Sequence, residues 1–310
     1  MFDEERILVT GGSGMVGSAL REFVPSALFL SSADCDFKNP SKTFELFDNF
    51  RPSYVFHLAS RVGGVKANFD YIGEFYYENV MINGNVLEAA RRSGVKKLVS
   101  LLSTCIFPAD ANYPLTEDQI HHGQPHETNY GYAYAKRMLD VQSRSYRQQY
   151  QCNFITASPN NLYGENDNFH LEQSHVLPAI IRKIHEAKIF NKEVVLWGDG
   201  SPLREFTHSQ DIAKVLLFLM KNYNEKDPIN IGSTEEISIR SAAEIIASEL
   251  EYEGNIIWDV SKPAGQARKP SSSIKMDALG WPQENYIKFE EGIKRTCSWF
   301  KNNYPKIRGI

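Results

Sequence analysis

Tyr132 and Lys136 stand four residues apart in Tyr132-Ala133-Tyr134-Ala135-Lys136. On a helix that spacing puts both side chains on one face, about one turn apart. A phenol with a pKa of about 10 is a poor acid or base at neutral pH. A cation roughly 4 Å away contributes up to about 4 kcal/mol in favour of phenolate at an effective dielectric of about 20. That brings the tyrosine toward the working range of a general acid or base. Ser103 closes the apolar run Leu98-Val99-Ser100-Leu101-Leu102 and is followed by Thr104-Cys105. A hydroxyl, a tyrosine and a lysine together read as carbonyl reduction, with Ser103 hydrogen-bonding the reacting oxygen. Cys105 has no part in such a reduction, so its thiol points to a second chemistry in the same pocket.

These residues need a scaffold, and the N-terminal segment announces one. Arg6-Ile7-Leu8-Val9-Thr10 is a short strand-like run ending at Gly11-Gly12-Ser13-Gly14-Met15-Val16-Gly17, after which Ser18 to Phe23 has helical character. In this GxxGxxG pattern Gly11 permits a tight turn, Gly14 lets backbone approach a pyrophosphate, and Gly17 allows close packing of helix on sheet. The helix start adds amide donors and a positive dipole for phosphate. Further apolar runs at Leu28 to Leu30, Tyr54 to Ala59 and Leu98 to Leu102 alternate with helical patterns such as Glu74 to Ser93. This predicts an α/β chain with a Rossmann-type doubly wound parallel sheet and right-handed crossovers. Ser103, at a strand's C-terminal end, then lies by the crevice where such sheets bind ligands.

Past the Tyr132 to Tyr150 helix and the strand Asn153 to Ser158, the pattern loosens after Pro159-Asn160-Asn161-Leu162-Tyr163-Gly164, which reads as the strand's end. A polar loop from Glu165 to Gln173 leads to a helix over Val176 to Ala187 and a strand at Val194 to Trp197. Helices at Asp211 to Lys221, Ile239 to Leu250 and Phe289 to Tyr304 follow, with a strand at Pro228 to Ile231. The expected division is a Rossmann dinucleotide-binding domain over residues 1–160, to which about 205–235 returns. Residues 161–310 then form a smaller C-terminal α/β substrate-binding lobe.

The 310 residues, 42% hydrophobic, suffice for a large core. A net charge of -4 and a pI near 6.1 offer no general attraction to nucleic acid or anionic membrane. No apolar run approaches the roughly 20 residues that span a bilayer, and the charged start through Arg6 lacks a signal-peptide core, so a cytoplasmic location is expected. Cys35, Cys105, Cys152 and Cys297 show neither CxxC nor zinc spacing, which argues against a disulfide framework and a metal site. His57, inside an apolar strand, reads as a core histidine. Phe75-Tyr76-Tyr77 reads as core or subunit interface.

With TGGSGMVG, HLAS, STC, YAYAK and PNNLYG in place, the chain resembles the extended short-chain dehydrogenase/reductases over nearly its whole length. Three further stretches sharpen the likeness: Ser103 to Pro108; Asp167 to His170 with Ser174 to Pro178; and Trp197 to Phe206. Through them the chain is similar to the epimerising reductases that act on GDP-4-keto-6-deoxy-D-mannose. That resemblance implies a use for the thiol. Removing a proton from C3 or C5 makes an enolate whose charge falls on the C4 oxygen, where Ser103 and Tyr132 would donate. Inversion needs a base on one face of the ring and an acid on the other, and Cys105 with His175 looks like that pair. Nicotinamide then delivers hydride to C4 while Tyr132 gives a proton and Lys136 binds the ribose.

For the cofactor, the resemblance implies contacts from Gly11 through Gly17, from Leu58 and Ala59, and from Leu101, Leu102, Ser103 and Thr104. It adds Pro159, Asn160, Asn161, Leu162 and His175, with Asp36 near the adenine. Where an acid commonly binds the NAD ribose, this chain has Ser31-Ser32, which favours NADP, with Arg61 within reach to help. Lys183, Arg204 and Lys269 would meet phosphate or sugar hydroxyls, Trp197 would pack on the substrate, and Asn161 would lie where cofactor and sugar meet. Lys183 stands where relatives often carry arginine, and Ala264 where they carry aspartate. The four-helix packing common in the family implies a homodimer. Two rival readings remain: a sugar-nucleotide 4-epimerase or dehydratase, and a catalytically silent reductase-like subunit. Against a dehydratase, Cys105-Ile106 stands where acidic residues are typical.

Overall fold

The run Ile7-Leu8-Val9-Thr10 is wholly buried and forms an inner strand of a parallel sheet in the computed structural model, which describes residues 6–262 and 266–310. From this strand, β1 (Ile7–Thr10), the chain passes through α1 (Met15–Arg21), β2 (Leu28–Leu30), α2 (Pro40–Phe50) and β3 (Tyr54–His57). It continues through α3 (Val65–Asp70), α4 (Ile72–Arg92), β4 (Lys97–Leu101), α5 (Tyr130–Tyr150) and β5 (Phe154–Pro159). The remainder comprises β6 (Asn161–Tyr163), α6 (Val176–Phe190), β7 (Val194–Trp197), β8 (Leu203–His208), α7 (Ser209–Asn222) and β9 (Ile229–Ile231). It closes with β10 (Glu236–Ser238), α8 (Ile239–Glu249), β11 (Ile256–Asp259), α9 (Ile274–Leu279) and α10 (Phe289–Asn303).

Six parallel strands form the main sheet in the order β2-β1-β3-β4-β5-β9. Because successive strand side chains point to opposite faces, Ile7 and Val9 enter one core while Leu8 enters another. The first core is closed by α1 and α7, the second by α2, α4 and α5, so both sheet faces are covered. That explains strands that read as continuous apolar runs. From β1 the chain first builds outward to β2, then returns to place β3 on the other side. This reversal opens a crevice at the C-terminal ends of β1 and β3, the usual ligand position of an open α/β sheet.

A third core joins α6, α8 and α10 to β7 and β8. Two small sheets accompany it, β10-β8-β6 and β11-β7. Here the structure corrects the sequence reading of Pro159 to Gly164 as a mere strand end: Asn161–Tyr163 is itself a strand, paired in parallel with Phe206 to His208. The chain changes sheets at Asn160, a buried residue whose amide donates to Ser233 O at 2.7 Å and accepts from Thr207 Oγ1 at 2.7 Å. Of the returning segment, α7 and β9 lie on the main sheet, whereas β8 belongs to the small one.

Candidate active site

The glycine turn sits at the crevice. Gly11 has φ +71°, and a Cβ there would lie 2.8 Å from the Ala59 amide nitrogen, so only glycine lets β1 turn this close to the end of β3. A Cβ at Gly17 would stand 2.6 Å from Gly11 O, which locks α1 against the turn. Gly14 differs: a Cβ there would meet only Gly11 O, at 3.3 Å, and would otherwise fill an open cradle. That cradle fits a dinucleotide pyrophosphate. Ser13 is exposed beside it, Met15 half-buried and Val16 buried beneath. Leu58 and Ala59 follow β3, Leu101 ends β4 and Leu102 follows it, along the same edge. Leu162 packs under the edge against the first core.

Beyond β2, Ser32 is exposed, and Asp34 folds back to accept from the Ser31 amide at 2.8 Å and its hydroxyl at 2.6 Å. Asp36 accepts from the Lys38 amide. Arg61 is held by Glu74 and Glu78, at 2.6 and 2.5 Å. His57 is a core histidine: it is buried, with Thr10 Oγ1 at 2.9 Å on one ring nitrogen and Asn83 Oδ1 at 3.0 Å on the other. Burial drives its pKa down to about 3.

Ser103 follows β4 and starts a 3-10 turn over Thr104–Ile106, accepting from the Cys105 amide at 3.4 Å. Facing it, α5 presents Tyr132 and Lys136. Lys136 is buried, and its Nζ donates to Leu101 O at 2.8 Å. Burial lowers its pKa to about 8, opposed by the charge of Cys105. The Tyr132 phenol is pushed up by burial and by Cys105, and is held down only by the Ser60 hydroxyl. The lysine ammonium faces the strand end, where it donates to Leu101 O. Phe75 packs edge-on against the Tyr132 ring at 6.3 Å, while Tyr76 and Tyr77 are exposed. Burial pushes the Cys105 thiol up. The Ser103 hydroxyl and the cations of Lys269 and Lys136 pull it back.

His175 stands at the N-cap position of α6, its side chain making no capping hydrogen bond. Its surface is open to solvent, yet protein crowds it closely enough that desolvation lowers its pKa. The loop that delivers it lies against the segment after β3: the Gly64 amide donates to Gln173 O at 2.9 Å, and a Cβ at Gly64 would be 2.4 Å from Ser174 O.

Of the substrate-side residues, Lys269 interacts electrostatically with both Cys105 and Arg204, so Lys269 borders the thiol. Burial lowers the pKa of Lys269 and Arg204. Lys183 donates to Val195 O at 3.1 Å, and Trp197, 57% exposed as a residue, ends the same strand, β7. Asn161 donates to Glu205 O. Ala264 lies outside the described residues.

Three residues escaped the sequence reading. Ser60 faces the Tyr132 phenol, and Tyr113 faces the Arg204 guanidinium. Glu205 is a buried carboxylate that accepts from the Ser271 amide at 2.9 Å, from the Ser271 hydroxyl and from Asn160 Nδ2 at 3.3 Å. Ser60 lies in the HLAS stretch and Glu205 in the Trp197 to Phe206 stretch, so both motifs signalled them.

The model of the NAD dependent epimerase/dehydratase family matches residues 7–232. The chain is 42% identical to the GDP-L-fucose synthase of Dictyostelium discoideum, covering 97% of each protein. It is 36% identical to that of Escherichia coli strain K12, covering 99% of this chain and 100% of that one. A solved GDP-L-fucose synthetase from Naegleria fowleri, bound to NADP, superposes with a TM-score of 0.92 at 40% identity, over 97% of this chain and 94% of that chain.

Proposed function

The chain belongs to the NAD dependent epimerase/dehydratase family as an NADP-dependent oxidoreductase, and from that premise we propose that it converts GDP-4-keto-6-deoxy-D-mannose to GDP-L-fucose in two steps. The observation that carries this reading is the Ser103-Thr104-Cys105 turn, whose thiol interacts electrostatically with both Tyr132 and Lys136. A reductase alone has no use for that thiol.

In the first step Cys105 and His175 serve as base and acid on opposite faces of the sugar, inverting C3 and C5. Thiol and imidazole, with unperturbed pKa values of about 8.5 and 6.5, need only modest tuning for this exchange. The enolate charge collects on the C4 oxygen, where the Ser103 and Tyr132 hydroxyls donate to it. In the second step Tyr132 gives a proton to that oxygen. NADPH, when bound at the glycine cradle, supplies the hydride for C4. Lys136 orients the nicotinamide ribose. Lys183, Arg204 and Lys269 neutralise the GDP diphosphate, Trp197 packs on the substrate, and Asn161 bridges sugar and cofactor. Residues 1–160, with about 205–235, hold the dinucleotide, and the rest of 161–310 holds the GDP-sugar.

The enzyme works in the cytoplasm as a homodimer. In support, no described helix is long and apolar enough to cross a membrane. The exposed side of α4 and α5 carries Tyr76, Tyr77, Met138 and Val141, an apolar stripe suited to a second copy.

Incubation with GDP-4-keto-6-deoxymannose and NADPH should consume NADPH stoichiometrically at 340 nm and yield GDP-L-fucose by NMR. A 4-epimerase would recycle its cofactor, so no loss of absorbance sinks the proposal. Cys105→Ser should still reduce the ketone but release an un-epimerised deoxyhexose. GDP-L-fucose formed by that variant at full rate would refute the assignment of the base.

A further inference from the structure

We propose that Arg137 is a positioning residue for the thiol of Cys105, coupling the acid–base turn to the helix that carries Tyr132 and Lys136. This rests on Cys105 being the epimerising base.

Arg137 follows Lys136 on α5 but points elsewhere, and it is only 5% exposed. Its Nε donates to the carbonyl of Ile106, the residue after Cys105, at 2.7 Å, and its Nη1 donates to Gly123 O at 2.6 Å. Beside these bonds the Ala109 amide donates to Gln124 O at 2.9 Å. One guanidinium therefore ties together α5, the catalytic turn and the 121–125 segment. Its carbon lies 5.4 Å from the centre of the Tyr134 ring, and Nη2 is buried without a partner.

Two carbonyls and a ring face do not require a cation. A buried charge with no anion beside it is costly, and a neutral donor could satisfy the same carbonyls. Besides Tyr134, the anion that acts on the Arg137 guanidinium is the thiolate that Cys105 becomes on deprotonation. The other groups facing this thiol are Ser103 on its own turn, Tyr132 and Lys136 on α5, and Lys269. Arg137 differs from Lys136 and Lys269 in being bonded to the backbone of the turn, so it sets where the thiol sits as well as how readily it ionises. The guanidinium places Nε and Nη1 on the two carbonyls in one rigid fork, so lysine can replace the charge but not that geometry.

The test uses Arg137→Met, Arg137→Lys and Cys105→Ser in the full chain. Three readouts are followed. The first is exchange of solvent deuterium into C3 and C5 of GDP-4-keto-6-deoxymannose without NADPH. The second is the ratio of un-epimerised to epimerised product with NADPH. The third is the pH midpoint of Cys105 alkylation by iodoacetamide, read by peptide mass spectrometry. Arg137→Met should slow exchange at least about tenfold, shift product toward the un-epimerised sugar and raise the alkylation midpoint by about one pH unit. Arg137→Lys should restore most of the midpoint but only part of the exchange rate.

Exchange and reduction falling together, with midpoint and product ratio unchanged, would mean a purely structural arginine and overturn the proposal. So would wild-type exchange in Arg137→Met while Cys105→Ser is inactive in exchange, an outcome that leaves the assigned base standing. Full-rate exchange in Cys105→Ser would remove the assigned base and this proposal with it. If Arg137→Met does not fold, the lysine variant alone decides: unchanged exchange overturns the coupling.

Discussion

The ammonium of Lys136 donates to the carbonyl of Leu101 at 2.8 Å and stands 5.7 Å from the centre of the Tyr132 ring, so it is anchored to the end of β4 rather than to the phenol. Without ligands, the burial that raises the tyrosine's pKa also lowers the lysine's. The phenol is thus held neutral, while the lysine, with a pKa of about 8, still carries its charge at pH 7.

Replacing Lys136 by Met follows from that relationship. Burial lowers the lysine's pKa from 10.5 to about 8, which corresponds to roughly 3 kcal/mol of unfavourable charge burial. The unfolded chain keeps this proton up to the higher value while the folded chain releases it at the lower. Stability therefore rises with pH between them, and the cost is fully present below pH 8. Met removes the cost but leaves Leu101 O without its donor, which returns about 1–3 kcal/mol. A net gain of about 1 kcal/mol is expected at pH 7, raising Tm by roughly 2–4 °C, together with loss of NADPH oxidation. Thermal denaturation at pH 7 and pH 10 checks it: the gain should shrink at the higher pH.

Gly14→Ala and Gly17→Ala should separate cofactor binding from folding. The Gly14 Cβ enters the open cradle, so the free protein should keep its Tm while NADPH binding by calorimetry weakens at least roughly tenfold. The Gly17 Cβ is driven into Gly11 O at 2.6 Å and Gly12 Cα at 2.7 Å, so this variant should lose about 1–3 kcal/mol of stability even without cofactor. Equal effects on Tm would contradict the assignment of Gly14 to the ligand face.

Glu205→Gln should raise KM for the GDP-sugar. The carboxylate accepts from the Ser271 amide and hydroxyl and from Asn160, tying β8 to the segment two residues beyond Lys269. Glutamine must turn an NH2 toward one of those donors, leaving a buried polar group unpaired at about 1–3 kcal/mol. With Lys269 and Arg204 less firmly placed, KM should rise about tenfold while kcat changes little. Ser271→Ala, which keeps the backbone donor, should fall between. An unchanged KM would show that Glu205 does not set the substrate side.

These cases mark where sequence reasoning reaches and where it stops. Tyr132 and Lys136 were legible because a four-residue spacing on a helix fixes their common face, and Gly11, Gly14 and Gly17 because each has a distinct steric task within one short turn. The alternating strands were legible because both faces of the sheet are buried. Strand β8 was not, since Arg204 and Glu205 break its apolar pattern. The partners that make a buried Glu205 tolerable lie 45 and 66 residues away at Asn160 and Ser271. Asn161–Tyr163 was missed for a similar reason: its strand character comes from pairing with Phe206 to His208, not from local propensity. The orientation of Lys136 toward Leu101 depends on β4, which no spacing within α5 encodes.

Asp167→Asn offers a test on stability rather than activity. The carboxyl is buried: Oδ1 accepts from the Asn168 amide at 2.7 Å, while Oδ2 has no hydrogen-bond partner. Burial raises its pKa from 3.8 to about 7, against the weaker pulls of the Asn168 amide and the Arg308 charge. Between those two values the folded chain binds a proton that the unfolded chain has released. The wild type therefore loses stability as pH climbs from about 4 to 7 and stays at the lower level above that. Asparagine keeps the acceptor for Asn168 and adds no charge, so the variant should match the wild type near pH 4 and exceed it by a few kcal/mol, about 2–4, at pH 8. Denaturant unfolding at the two pH values measures the difference. A variant less stable than wild type at pH 8 would mean that the Arg308 charge outweighs burial, and that Asp167 is ionised and stabilising in the native chain.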